Sequence, residues 1–292
     1  MSWRVVVITN RCKLDYSMNY MVVRGEEVKR VLLDEIAVLL IENNAISMTG
    51  CLLTELLKKK IRVILCDEKR SPQAELQPYY GAHNSSLKVK NQIAWSDEVK
   101  TVIWTSIVSE KIKNQSVLLY KVGKAYEGDM LAQYVTQIIP GDITNREGHA
   151  AKVYFNSLFG LTFSRNDEEN VINSALNYGY ALLLSAFNRE VTLNGYLTQL
   201  GLKHDNQFNP YNLSCDLMEP FRIIVDERVK SMSYSAFATE EKHDLVRLLH
   251  EPIEIAGNDQ TLLNAIKIYT KSVFDSLNEE NENLIKFPFY EL

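Results

Sequence analysis

The chain has 292 residues, 46% apolar and 24% charged, with a formal net charge of −5. That balance describes a chain that buries a core of its own, and it excludes a disordered protein or one that depends on staples. The four cysteines (Cys12, Cys51, Cys66, Cys215) include no Cys-x-x-Cys pair and fit no zinc template, so they read as reduced, mostly buried thiols.

The opening MSWRVVVITNRCKL reads as a short strand over 4–9, not as a signal peptide. Apolar, β-branched character returns at 21–24 and 29–33, and 36–41 suits strand or helix. Helical periodicity marks 51–60, with Leu52, Leu56 and Leu57 on one side, and RVILC over 62–66 is again a strand. Residues 70–86 hold Pro72, Pro78, Gly81 and Asn84 and read as a linker. Beyond it the periodicity predicts helices over 98–119, 146–159, 170–187 and 259–277, and the chain reads helical to its end. The expectation is an α+β chain, with an N-terminal β domain over 1–70, a linker over 71–90 and an all-α domain over 91–292. No apolar run approaches the length of a membrane span, so a soluble cytoplasmic protein with no membrane partner is expected.

The negative charge is unevenly placed. Residues 223–292 carry 13 acidic and 7 basic side chains, and the first 222 carry 24 acidic and 25 basic. A local basic groove for nucleic acid is therefore compatible with the total.

Three segments carry chemistry. In NREGHAAKVYF (145–155), Glu147 shares a helix face with Ala151, Tyr154 and Leu158. A carboxylate on an apolar stripe needs a charged partner or a metal. Alternatively, Glu147 serves the first turn of a helix capped by Asp142 or Thr144. His204 ends GLKH, at the start of a polar, loop-forming segment. In LSCDLMEPFRIIVD (213–226), Asp216 and Glu219 stand at i, i+3, and Pro220 either follows a helix start or kinks the helix. Two such carboxylates plus an imidazole suit a hard cation such as Mg²⁺ or Mn²⁺. The competing reading is an acidic surface turn with Arg222 pairing one of them.

Together, REGHAA-x-x-YF, GLKH, CDLMEPFRIIVD and NVINSALNYGY (170–180) resemble the CRISPR-associated spacer-acquisition integrases, the Cas-one family. The wording is similar to the subtype that accompanies the single-effector nuclease. The resemblance implies an N-terminal β-sandwich and a C-terminal helical catalytic domain. It implies that Glu147, His204 and Glu219 bind one Mg²⁺ or Mn²⁺, with Asp216 assisting catalysis. The implied activity joins prespacer 3′-hydroxyl ends to the leader–repeat junction of a CRISPR array by transesterification, with associated endonuclease activity. Double-stranded DNA, a homodimer, the small Cas-two partner, the single-effector nuclease and a ring-shaped end-binding protein are the implied partners. A structure-selective repair nuclease is the alternative, and a non-enzymatic DNA-binding subunit with a buried salt-bridged network is a further one. Phosphate contacts are expected from Arg146, Lys152, Lys203, Arg222, Lys88 and Lys90, with Lys111 and Lys113 as further candidates. Trp95 and Trp104 suit the core, with base stacking the other reading.

Overall fold

The structure, a computed structural model, describes residues 4–76, 82–232 and 237–290. It divides into two compact units, 1–85 and 86–292.

The first unit holds two four-stranded sheets. One orders its strands β1 (Arg4–Ile8), β5 (Ile36–Ile41), β7 (Arg62–Cys66) and β8 (Pro72–Leu76). Its first three strands run parallel, and β8 returns antiparallel to β7. The other orders β4 (Val28–Leu32), β3 (Tyr20–Arg24), β2 (Lys13–Ser17) and β6 (Ser47–Met48). Helix α1 (Gly50–Lys58) begins at a Thr49 side-chain cap and leads into β7, the crossover a parallel pair requires. Leu14 and Met21 of one sheet, Leu39 and Val63 of the other, and Leu52 and Leu56 of α1 share one core. Residues 36–41, which suit helix or strand by composition, form a strand buried along its whole length, as expected of an interior parallel strand.

The second unit is mainly helical: α2 (Ser85–Ala94), α3 (Asp97–Lys121), α4 (Ala125–Thr136), α5 (Arg146–Phe159), α6 (Val171–Leu193), α7 (Asn212–Met218), α8 (Arg222–Ser231), α9 (Thr239–Arg247) and α10 (Leu262–Glu279). The long α3 packs against α4, α5, α8 and α10. Among the described residues no helix is long and apolar enough to cross a membrane.

Three expectations need correction. The second unit is not all helical, because β9 (Pro252–Ile255), β10 (Asn258–Thr261) and β11 (Pro288–Phe289) form a small antiparallel sheet. Ala256 and Gly257, both at positive φ, make the two-residue turn that starts the β9–β10 hairpin. The stretch 71–90 is not a plain linker: β8 lies within it and α2 begins there, while Pro78 and Gly81 fall outside the described residues. All four cysteines are free, but only Cys66 is buried and Cys51 is exposed.

Candidate active site

Helix α5 presents Glu147 from its first turn. The αL residue Asn145 caps the helix by accepting the Gly148 amide, and the Asp142 carboxylate accepts the amides of Arg146 (2.8 Å) and Glu147 (3.0 Å). The cap is therefore Asn145, with Asp142 sharing the work. Those first-turn donors are satisfied without the Glu147 side chain, which is free to point elsewhere.

It points to Lys111 of α3. The Lys111 ammonium lies 2.6 Å from Glu147 Oε1 and 2.6 Å from Glu219 Oε2. Glu219 begins a single 3₁₀ turn, Glu219–Phe221, between α7 and α8. Pro220 fits that turn because its missing N–H is not needed there. Its carbonyl accepts from Asn114 Nδ2 (3.4 Å) and the Tyr290 hydroxyl (2.9 Å). The backbone stays helical through Met218, Glu219 and Arg222 but tightens to a 3₁₀ turn at Pro220, and the two carboxylates reach different partners.

Glu219 is 4% exposed and faces two cations, Lys111 and the Arg222 guanidinium, 3.0 Å from its Oε1. Burial alone would raise its pKa. The Arg222 and Lys111 charges outweigh burial and bring the pKa down to about 2. Lys111 shows the mirror effect. Burial disfavours its charge, the Glu219 and Glu147 carboxylates reverse this, and its pKa rises. The Lys111–Glu219 contact is a charge pair rather than an aligned hydrogen bond, and Glu219 Oε2 accepts none.

Asp216 is fully buried, and both its oxygens are taken. Oδ2 accepts the amides of Leu202 (2.6 Å) and Lys203 (3.0 Å). Oδ1 accepts the His204 amide (3.2 Å) and lies 2.5 Å from His204 Nδ1. The bond to Asp216 raises the His204 pKa against the opposing effect of burial. With Nδ1 turned to the carboxylate, Nε2 is the ring nitrogen left to act. The ring also meets the edge of Trp104 on α3, at 5.8 Å between centroids. Asp216 is thus a positioning residue for the histidine loop.

Residues inside and outside the GLKH motif hold that loop. A Cβ on Gly201 would fall 2.2 Å from the His204 carbonyl and 2.8 Å from Asp216 Oδ2, so only glycine allows the close turn. Gln92 of α2 donates to the carbonyls of Leu197 and Leu200 and accepts the Leu197 amide. Asn212 donates to the carbonyls of Gln199 and Asn206. Lys203 Nζ donates to the Gly141 carbonyl and ties the loop to the approach to α5.

Behind the site, buried Asp226 of α8 accepts the hydroxyls of Tyr154 on α5 (2.9 Å) and Tyr180 on α6. Arg222 stacks over the Tyr180 ring, 4.6 Å from its centroid. Gly179 lets α6 approach α8, since a Cβ there would meet Val225 Cγ1 at 2.4 Å. The NVINSALNYGY segment thus has a packing role: Asn170 caps α6, and Gly179 and Tyr180 join it to α8.

Of the residues expected to contact phosphate, Lys152 and Lys90 are exposed. Lys203 is exposed, with its ammonium on Gly141. Lys88 lies over the Tyr196 ring, Arg146 over Tyr134, and Lys113 pairs with Glu110. Arg222 and Lys111 are corrections: both are committed to buried carboxylates that need counter-charge. Trp104 and Trp95 are buried, as the core reading has it.

Among the described residues, no three His, Cys, Asp or Glu side chains converge closely enough to grip an ion. The donor chemistry nonetheless fits a hard divalent cation. Glu147 and Glu219 face one cationic position, filled by an ammonium, and Glu219 Oε2 has lone pairs that accept no hydrogen bond.

Comparison with known proteins agrees with this architecture. The family model "CRISPR associated protein Cas1" matches residues 5–245. A CRISPR-associated endonuclease Cas1 from Neisseria meningitidis serogroup C (strain 8013) is 34% identical over 294 residues, covering 99% of this chain and 96% of the relative. A second, from Francisella tularensis subsp. novicida (strain U112), is 26% identical over 231 residues, 72% of each chain. The fold matches a casposase bound to integration product (TM-score 0.76, 18% identity, 97% of this chain and 92% of that one). It also matches a CAS1 protein from Thermotoga maritima (TM-score 0.76, 17% identity, 94% and 97%). A chain of a Cas6-RT-Cas1–Cas2 complex matches at TM-score 0.77 and 17% identity, covering 99% of this chain and 36% of that one. The chain belongs to the Cas1 family of CRISPR-associated proteins.

Proposed function

We propose that this chain is a metal-dependent DNA integrase of CRISPR adaptation, joining prespacer 3′-hydroxyl ends to the leader–repeat junction. The observation that carries the reading is the meeting of Glu147 and Glu219 at one cationic position, in a site whose histidine is oriented by a buried aspartate. Glu147, Glu219 and His204 Nε2 would hold Mg²⁺ or Mn²⁺. When bound, the ion supplies Lewis-acid polarisation of phosphate oxygen and lowers the pKa of a coordinated hydroxyl.

The chain's own residues do the rest. Asp216 fixes the imidazole so that Nε2 is presented to the ion's position in one orientation. The transferred 3′-oxygen forms one P–O bond as the repeat strand's P–O bond breaks. The proton lost by the hydroxyl matches the one gained by the leaving oxygen, so no redox partner is needed. Arg222, fixed on Glu219 and Tyr180, keeps the glutamate ionised and its carboxylate plane in place. Water in place of the 3′-hydroxyl gives hydrolysis at the same site, in keeping with relatives named endonucleases. The Cas6-RT-Cas1–Cas2 complex among the structural neighbours supports a Cas2 partner for this chain.

The test incubates the chain and its small partner with a fluorescent double-stranded fragment and a plasmid carrying leader and repeat. Joined product that requires Mg²⁺ or Mn²⁺, and that is absent in Glu147→Ala and His204→Ala, is expected. Joining in excess chelator, or full joining by those variants, would overturn the reading. Cleavage of branched DNA without joining would favour a repair nuclease.

A further inference from the structure

Two cations meet the carboxylates of this site, and they are held very differently. Arg222 is fixed: its guanidinium pairs with Glu219 one helical turn away and stacks on Tyr180. The Lys111 ammonium is held by Glu147 and Glu219, at the end of a four-carbon stem with several rotatable bonds. Its side chain is 11% exposed, so it is largely but not wholly removed from water. The two carboxylates and two cations balance in charge. A divalent ion placed on the same carboxylates would leave a buried excess of two positive charges, and departure of the lysine halves that excess. The ammonium lies 2.6 Å from each carboxylate, so the two glutamates share its charge.

We propose that Lys111 is a displaceable counter-cation, which holds Glu147 and Glu219 together before a divalent ion binds and leaves them when one arrives. The proposal rests on the metal reading of the site and adds to it a competition between the ion and the protein's own lysine. It assigns Lys111 a positioning role: without it the two ionised glutamates, on α5 and on the turn before α8, would repel each other. It also sets the apparent metal affinity. The site is open only in molecules whose lysine has withdrawn, so the measured affinity is the intrinsic one scaled by that fraction.

Two measurements on the full chain test this. In the wild-type protein, acetylation of Lys111 by acetic anhydride is followed by mass spectrometry with and without Mn²⁺. Protection without the ion and a several-fold rise in labelling with it are expected, while exposed Lys152 stays constant. In the second, Mn²⁺ binding is followed by the loss of the free-ion electron paramagnetic resonance signal. Lys111→Met is expected to bind on the order of tenfold tighter than wild type, as for a site otherwise open in about a tenth of molecules. Lys111→Arg, which keeps the charge on a stiffer head group, is expected to bind no tighter than wild type. Mn²⁺ binding with unchanged Lys111 labelling, or with equal or weaker affinity in a folded Lys111→Met variant, would overturn the displacement and leave the metal reading standing. Absence of Mn²⁺ binding in both proteins would overturn the metal reading and this proposal together.

Discussion

Replacing Asp226 with asparagine probes the cost of the carboxylate at the back of the site. Asp226 is 1% exposed and is held by the Tyr154 and Tyr180 hydroxyls. Burial drives its pKa up, and the two hydroxyls and the charges of Arg222 and Arg165 reverse only part of that, leaving it at about 6 rather than 3.8. A carboxyl with a raised native pKa binds its proton more tightly folded than unfolded. Its stabilising contribution is therefore complete below about pH 4 and is lost as pH climbs through about 6. Each unit is worth about 1.4 kcal/mol, so the roughly two-unit shift corresponds to about 3 kcal/mol. The asparagine variant has no proton to lose there. Any constant penalty it carries, such as a tyrosine hydroxyl left poorly paired, moves its whole curve and cancels in a comparison across pH. Stability is measured by urea unfolding at pH 4 to 7 and constant ionic strength, using tryptophan fluorescence, since Trp95 and Trp104 are both buried in the helical unit. Wild type should lose about 2 kcal/mol of that relative to Asp226→Asn between pH 4 and 7, because the unfolded carboxyl is already partly ionised at pH 4. Curves that stay parallel within about 0.5 kcal/mol would refute the reasoning.

Three further outcomes are expected. Asp216→Asn should lower the His204 pKa, because the bond that raises it is weakened; NMR titration of the imidazole reads this, and joining activity should fall by about 10–100-fold, as for other orienting partners. Gly201→Ala should shift the histidine loop while sparing the helical core. A changed His204 resonance with a drop in thermal midpoint of only a few degrees is expected, and an unchanged resonance would contradict the close packing at that glycine. Glu219→Ala should destabilise the chain by about 3–5 kcal/mol in urea unfolding, since it strands Lys111 and Arg222 beside a single remaining carboxylate. Glu219→Gln, of equal size but uncharged, should lose a similar amount, since charge and not volume carries the cost.

Long helices were readable from their apolar period, although the cap of the 146–159 helix is Asn145 and not Asp142 or Thr144 alone. The expected 146–159 helix coincides with α5, and the Asn170 cap opens α6. The hairpin at 252–261 was not readable, because four-residue strands carry too few alternations and the periodic 262–279 helix absorbs their polar end. The site divided along the same line. Glu147 on an apolar stripe announced a need for counter-charge, and the i, i+3 pair of Asp216 and Glu219 announced a second. Their separate fates follow the end of α7 at Met218: Asp216, inside the helix, meets the histidine loop, and Glu219, the first residue of the 3₁₀ turn that holds Pro220, meets the cations. Nothing local could name the cation. Lys111 is separated from its partners by 36 and 108 residues, and on its own helix it looks like any solvated lysine. A buried carboxylate is legible one residue at a time because its cost is local, whereas the group that meets the cost is chosen by how helices pack. The residues that position others here (Gln92, Gly201, Asp226) are of that second kind. Each connects segments distant in sequence or permits a contact that no spacing rule describes.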